Sequence, residues 1–149
     1  MCGIFGSISN GQVNKSKLKI LALHARQRGR DSSGILYFSN DSYVASRRNY
    51  DVKKLFDNYK RIQSKVIMGH SRLITNGLND NQPVVRDGTG VIHNGIVVNT
   101  DEVWANLDVE RKFEIDTEAI NAIAISHLKN GGPYDEIADK ILKDCVGTI

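Results

Sequence analysis

Cysteine and proline are scarce in this sequence. Its 149 residues hold two of each, at Cys2, Cys145, Pro83 and Pro133. Two cysteines at opposite ends are too few for a disulfide scaffold and lack zinc-ligand spacing. The four histidines, at 24, 70, 93 and 127, form no metal-ligand pattern, so no metal is expected. No apolar run approaches the ~18 residues of a membrane-spanning helix, and the opening residues lack the basic stretch and apolar core of a secretory leader. Twenty Lys plus Arg against seventeen Asp plus Glu leave a net charge of +3, too small an excess for a nucleic-acid footprint. A phosphate-binding loop and a dinucleotide fingerprint are also missing, so no cofactor is expected. These exclusions point to a cytoplasmic protein without membrane or nucleic-acid partners.

What is present is a foldable chain. A hydrophobic fraction of 40% argues against disorder. The length suits one domain, able to bury roughly 68–70% of its unfolded surface. Gly3 to Ser9 reads as a buried strand ended by Asn10-Gly11. Lys15 to Arg28 places Leu18, Leu21, Ala22 and Ala25 at helical spacing, and Gly29 is the expected stop. Ser33–Phe38 and Tyr43–Ala45 flank Ser39-Asn-Asp-Ser42 as a hairpin. Val52 to Ile62 is helical in pattern, and Lys65–Met68 reads as a central strand. The polar stretch Thr75–Gln82 is a candidate lid. Gly90–Val98 resembles two strand segments pinched at Asn94-Gly95. Helices are expected over Thr117–Leu128 and Tyr134–Leu142, separated by Asn130-Gly-Gly-Pro133. Hairpins mixed with helices, without strict βαβ alternation, favour a layered α+β sandwich.

Several residues carry possible chemistry, each with a plain structural alternative. Removal of Met1 would leave Cys2 with both a thiol and a free α-amine. An amine of reference pKa about 7.7–8.0 can accept the thiol proton, so no separate histidine base is required. The alternative is a small buried residue at the mouth of a strand. Asn94-Gly95 is either a turn or an oxyanion hole built from a side-chain amide and a backbone N–H. Arg72 is either a solvated strand end or a planar fork for a carboxylate. Asp116 is either a helix N-cap or an acceptor for a substrate ammonium. His70 and His93 are assigned structural roles, as is Cys145 in the core.

Taken in order, these motifs resemble those of class II glutamine amidotransferases, the N-terminal-nucleophile hydrolase type. Met1-Cys-Gly-Ile-Phe-Gly6 is similar to the family's opening. Arg28-Gly-Arg-Asp-Ser-Ser-Gly34, Gly69-His-Ser-Arg-Leu-Ile-Thr-Asn-Gly77, Asn81-Gln-Pro83, Ile92-His-Asn-Gly-Ile-Val-Val-Asn99 and Glu114-Ile-Asp-Thr-Glu-Ala-Ile120 follow in the family's sequence. The matches run from residue 2 to about 120.

The resemblance implies a four-layer αββα sandwich, with residues 1–149 forming a glutaminase domain incomplete at its carboxyl end. It implies Cys2 as nucleophile and Asn94 with Gly95 as the oxyanion hole. Arg72, Thr75 and Asn76 would meet the glutamine carboxylate, and Asp116 the ammonium; Arg28 would support the first strand. L-glutamine is then the substrate, and ammonia passes to a synthase domain or subunit; the assembly could be homo-oligomeric. Leu73 and Asn76 depart from the sugar-aminating members, whereas Arg30-Asp31-Ser32 and His93-Asn94-Gly95 lean toward the sugar and phosphoribosyl-amine branches. Amino-sugar or related biosynthesis is the expected setting. Two other readings stay open at this point: a non-catalytic glutamine-binding domain, and an N-terminal-cysteine hydrolase of another amide.

Overall fold

The computed structural model describes residues 2–49, 52–56, 64–73 and 81–149. Its main sheet is antiparallel, in the order β1 (Gly3–Ile8), β4 (Val66–Arg72), β2 (Ser32–Ser39), β3 (Ser42–Asn49). The expected central strand is β4, which pairs with β1 on one side and β2 on the other. β2 and β3 form the expected hairpin. Asn40 and Asp41 adopt φ of 50° and 58° at its tip, the left-handed conformation that two-residue hairpins require.

One face of this sheet is covered by α1 (Lys15–Arg26) and α2 (Val52–Leu55). Phe5, Ile35 and Ile67 on the strands meet Leu18, Ala22, Ala25, Leu55 and Phe56 in one buried cluster. Leu18, Ala22 and Ala25 of the predicted stripe thus face the core while Leu21 stays exposed, and Asn14 caps α1 by accepting a hydrogen bond from the Lys17 N–H at 3.0 Å. The helix stops two residues before the expected Arg28. Gly29 is no left-handed cap: a Cβ there would collide with the Ser71 carbonyl and the Arg72 backbone, so glycine allows the chain to cross the end of β4. Of the expected helix over 52–62, residues 57–62 lie outside the described residues.

The second strand layer consists of two ribbons. β5 (Val84–Arg86) pairs with β6 (Thr89–Val91), and β7 (Ile96–Val97) with β8 (Gly147–Thr148). The two strand segments on either side of Asn94-Gly95 are therefore present, in separate ribbons, and β8 comes from the last residues of this sequence. The β5–β6 hairpin is absent from the sequence reading, although Asp87-Gly88 is a hairpin signal and both residues take positive φ. β6 faces the main sheet, with Gly90 against the Leu36 side chain.

The fourth layer is helical: α3 (Thr100–Ala105), α4 (Thr117–Lys129) and α5 (Ile137–Asp144). Ala119, Ile120 and Ile123 of α4 pack with Val97, Val103 and Cys145 in a second buried cluster. This places Cys145 in the core, as expected, and burial there raises its thiol pKa. α4 ends in a Schellman motif: the N–H groups of Gly132 and Gly131 donate to the His127 and Leu128 carbonyls, with Gly131 at φ 78°. Pro133 follows, and a short 3₁₀ turn over Tyr134–Glu136 leads into α5. The sequence of layers is helix, sheet, ribbons, helix, the αββα arrangement. Among the described residues no helix is long and apolar enough to cross a membrane.

Candidate active site

Strand register brings the first two candidates to one end of the sheet. Gly3 pairs with Ser71, so Cys2, just before β1, and Arg72, the last residue of β4, arrive together. Arg72 is buried, and its carbonyl accepts the Asp31 N–H at 2.9 Å, tying the segment after α1 to the same edge. Cys2 is half-buried and borders an open groove of about 510 Å³ with Gly3, His24, Ala25, Arg28 and Asn94. Arg28 is exposed along this groove. The Cys2 thiol lies 3.6 Å from the Leu73 carbonyl.

The next contact crosses layers. The Cys2 backbone nitrogen donates to Asn94 Oδ1 at 3.1 Å, although 92 residues separate the two. Asn94-Gly95 follows β6 and precedes β7, and its neighbours pin it. The His93 N–H donates to Gln82 Oε1 at 2.7 Å. His93 Nε2 lies 2.8 Å from the Thr148 carbonyl, which can only accept, so Nε2 carries the hydrogen. A Cβ on Gly95 would strike that same carbonyl and the His93 ring, so only glycine lets β8 close over this turn. Asn94-Gly95 is thus a pinned connection between ribbons, and its amide side chain reaches the cysteine.

Asp116 takes the N-cap position that its sequence context predicts, and its second carboxylate oxygen is also bonded. It begins α4, and Oδ1 accepts the Thr117 N–H at 2.9 Å. Oδ2 accepts the Val97 N–H at 2.9 Å, two residues beyond Gly95, and lies 3.9 Å from His93 Nδ1. The structure therefore unites Cys2 with Asn94, and Asp116 with the strand that follows Gly95. Thr75 and Asn76, and most of the expected lid, fall within 74–80, outside the described residues. The last residues of that stretch are anchored. Asn81 Oδ1 accepts from the Ser32 hydroxyl at 2.8 Å, and the Pro83 carbonyl accepts from the Arg47 guanidinium.

Sequence reasoning gave His70 and His93 structural roles but missed Gln82, Glu118 and Asn121 as buried polar groups. Gln82, His70, His93, Glu118 and Asn121 are all buried, and an isolated polar residue in a sequence carries no signal of burial. His70 is the extreme case. Burial first, then the nearby Arg72 guanidinium, lower its pKa to about 4, so the ring is neutral at ordinary pH. Among the described residues no group of three or more His, Cys, Asp or Glu could hold a metal ion.

No family model matches the chain. Its sequence is 33% identical over 151 residues to glutamine–fructose-6-phosphate aminotransferase (isomerizing) of Brucella abortus biovar 1 (strain 9-941), covering 93% of this chain and 24% of that protein. It is 28% identical over 139 residues to amidophosphoribosyltransferase of Pasteurella multocida (strain Pm70), covering 87% of this chain and 27% of that protein. The chain thus spans about a quarter of the length of the curated relatives it matches. A solved glutamine phosphoribosylpyrophosphate amidotransferase from B. subtilis superposes with a TM-score of 0.76 at 22% identity, over 98% of this chain and 33% of that one. A similarity that runs through nearly the whole chain, on a shared αββα fold, matches it to one domain of these class II glutamine amidotransferases.

Proposed function

We propose that this domain hydrolyses the side-chain amide of glutamine and supplies the ammonia to an acceptor in a separate synthase domain or subunit. The observation that carries the reading is the 3.1 Å contact between the Cys2 backbone nitrogen and Asn94 Oδ1. It brings a nucleophile, its own amine and an amide of oxyanion-hole type into one place. Once Met1 is removed, that nitrogen is the α-amine of Cys2, and accepting its hydrogen orients the Asn94 side chain.

In this mechanism the amine takes the Cys2 thiol proton and the thiolate attacks the amide carbon of glutamine. Negative charge gathers on the former carbonyl oxygen, where Asn94 Nδ2 and the Gly95 N–H donate to it. The C–N bond breaks, the amine returns its proton to the departing nitrogen, and ammonia leaves a γ-glutamyl thioester on Cys2. Water then cleaves the thioester, releasing glutamate and restoring the thiol. Arg72 binds the α-carboxylate, with Thr75 and Asn76 beside it, and Asp116 binds the α-ammonium. Reading both charged ends selects a free amino acid over a peptide amide. Similarity to a glutamine–fructose-6-phosphate aminotransferase supports a sugar-phosphate acceptor, with an amino sugar as product.

Two measurements test this. Intact mass should show a mature chain that begins at Cys2. Glutamate release from glutamine should disappear in Cys2→Ala, and turnover that survives this change would refute the assignment.

A further inference from the structure

Asp116 stands at the end of an arm that has no regular structure. Residues 106–116 leave α3 and reach α4 without forming helix or strand. An arm of this kind needs another source of order for its backbone polar groups. Glu118 supplies it. Its carboxylate is fully buried in the first turn of α4 and points back along the chain. Glu118 Oε1 and Oε2 accept the Lys112 N–H at 3.0 and 3.1 Å, and Oε2 accepts the Phe113 N–H at 2.8 Å. Arg86 of β5 forms an ion pair with the same carboxylate and donates to the Glu110 carbonyl at 2.8 Å. The arm is therefore closed into a loop around one charge, and Asp116 lies between the clamped residues 112–113 and the clamp itself.

From this geometry we infer that Glu118, held by Arg86, is a positioning residue that sets the Asp116 carboxylate for the ammonium end of the substrate. The inference rests on the glutamine reading above and adds a specificity determinant to it. A glutamine at 118 has the same size but turns one acceptor oxygen into an NH₂ group. The three groups around that carboxylate named above are all donors: two backbone N–H groups and a guanidinium. An amide donor must face one of them, so the loop shifts. The shift reaches Asp116 along the chain, while Cys2, Asn94 and Arg72 sit on other elements.

The test compares glutamine with 4-carbamoylbutanoate, which keeps the amide and the carboxylate but lacks the α-amine. The native enzyme should prefer glutamine in kcat/KM. In Glu118→Gln that preference should fall about 10-fold, through a higher KM for glutamine, with turnover of 4-carbamoylbutanoate nearly unchanged. Arg86→Lys keeps the charge but loses the fork, and should move the preference the same way by a smaller factor. It carries the test by itself if Glu118→Gln does not fold. An equal loss on both substrates, or an unchanged preference in folded variants, overturns the inference. If native protein hydrolyses neither substrate, the glutaminase reading fails instead.

Discussion

The proposed nucleophile end and the proposed ammonium end of this site are built by different means. Cys2 and Arg72 sit at the end of the β1–β4 ladder, where backbone pairing from Gly3–Ser71 to Ile8–Val66 sets their relation. Asp116 ends an irregular arm, and its place depends on a few side-chain bonds centred on Glu118. A ladder spreads its order over many weak equivalent bonds, so a single side chain can change with little effect on the register. A polar clamp concentrates its order in one buried carboxylate, whose loss leaves several donors unsatisfied. The first kind of support suits a reacting atom that tolerates little displacement. The second allows the reading of one end of the substrate to be tuned separately.

The sharpest way to separate chemistry from support is Asn94→Ala, at the connection where the two parts meet. Loss of one oxyanion donor should lower kcat by roughly 10²–10³-fold. Because Asn94 is exposed, the urea midpoint should hardly move. A change in kcat below about threefold would mean that another group holds the oxyanion.

A smaller effect probes burial on the ladder side, at His70. Its folded pKa of about 4 lies below the unfolded value of 6.5, so the unfolded chain binds more protons between these limits. The stabilisation is present above pH 6.5 and is lost as pH falls toward 4. Integrated over the interval, the loss is about 3 kcal/mol. Arg72 on the same strand and His93 from the ribbon layer face the ring, and the guanidinium helps to hold it neutral. Urea unfolding at pH 7.5 and 4.5 should therefore show a larger acid loss in the native protein than in His70→Gln. Identical losses would remove His70 as the cause.

The smallest effect is Asn14→Ala. It deletes the side-chain cap of α1, far from the clamp, and should cost about 1 kcal/mol without altering glutamine turnover. A kinetic change there would show that the helix layer and the site are coupled, against the contrast drawn above.

Local elements were legible wherever their signals were local. The apolar stripe of α1, the Asn-Asp hairpin tip and the Gly131 stop of α4 are each specified within a few residues. α3 escaped because it has only six residues, too few for a periodic pattern, and β5 escaped because it has only three. Cys2, Asn94-Gly95, Arg72 and Asp116 were legible as a set through their order along the chain, while each by itself admitted a structural reading. Glu118 looked like an ordinary acidic residue in a first helical turn, where it complements the helix dipole. Nothing nearby in sequence announces that Arg86, 32 positions earlier, is its partner.

By itself, then, the sequence determined the longer elements and the list of chemically apt residues, since both follow from short-range periodicity and residue type. Tertiary structure decided which of those residues meet. The Cys2–Asn94 contact spans 92 positions, and the one from His93 to the Thr148 carbonyl spans 55. Such pairs depend on how the strands register and how the layers stack, and the cost of closing chain loops that long is recovered only through cooperative burial of both cores.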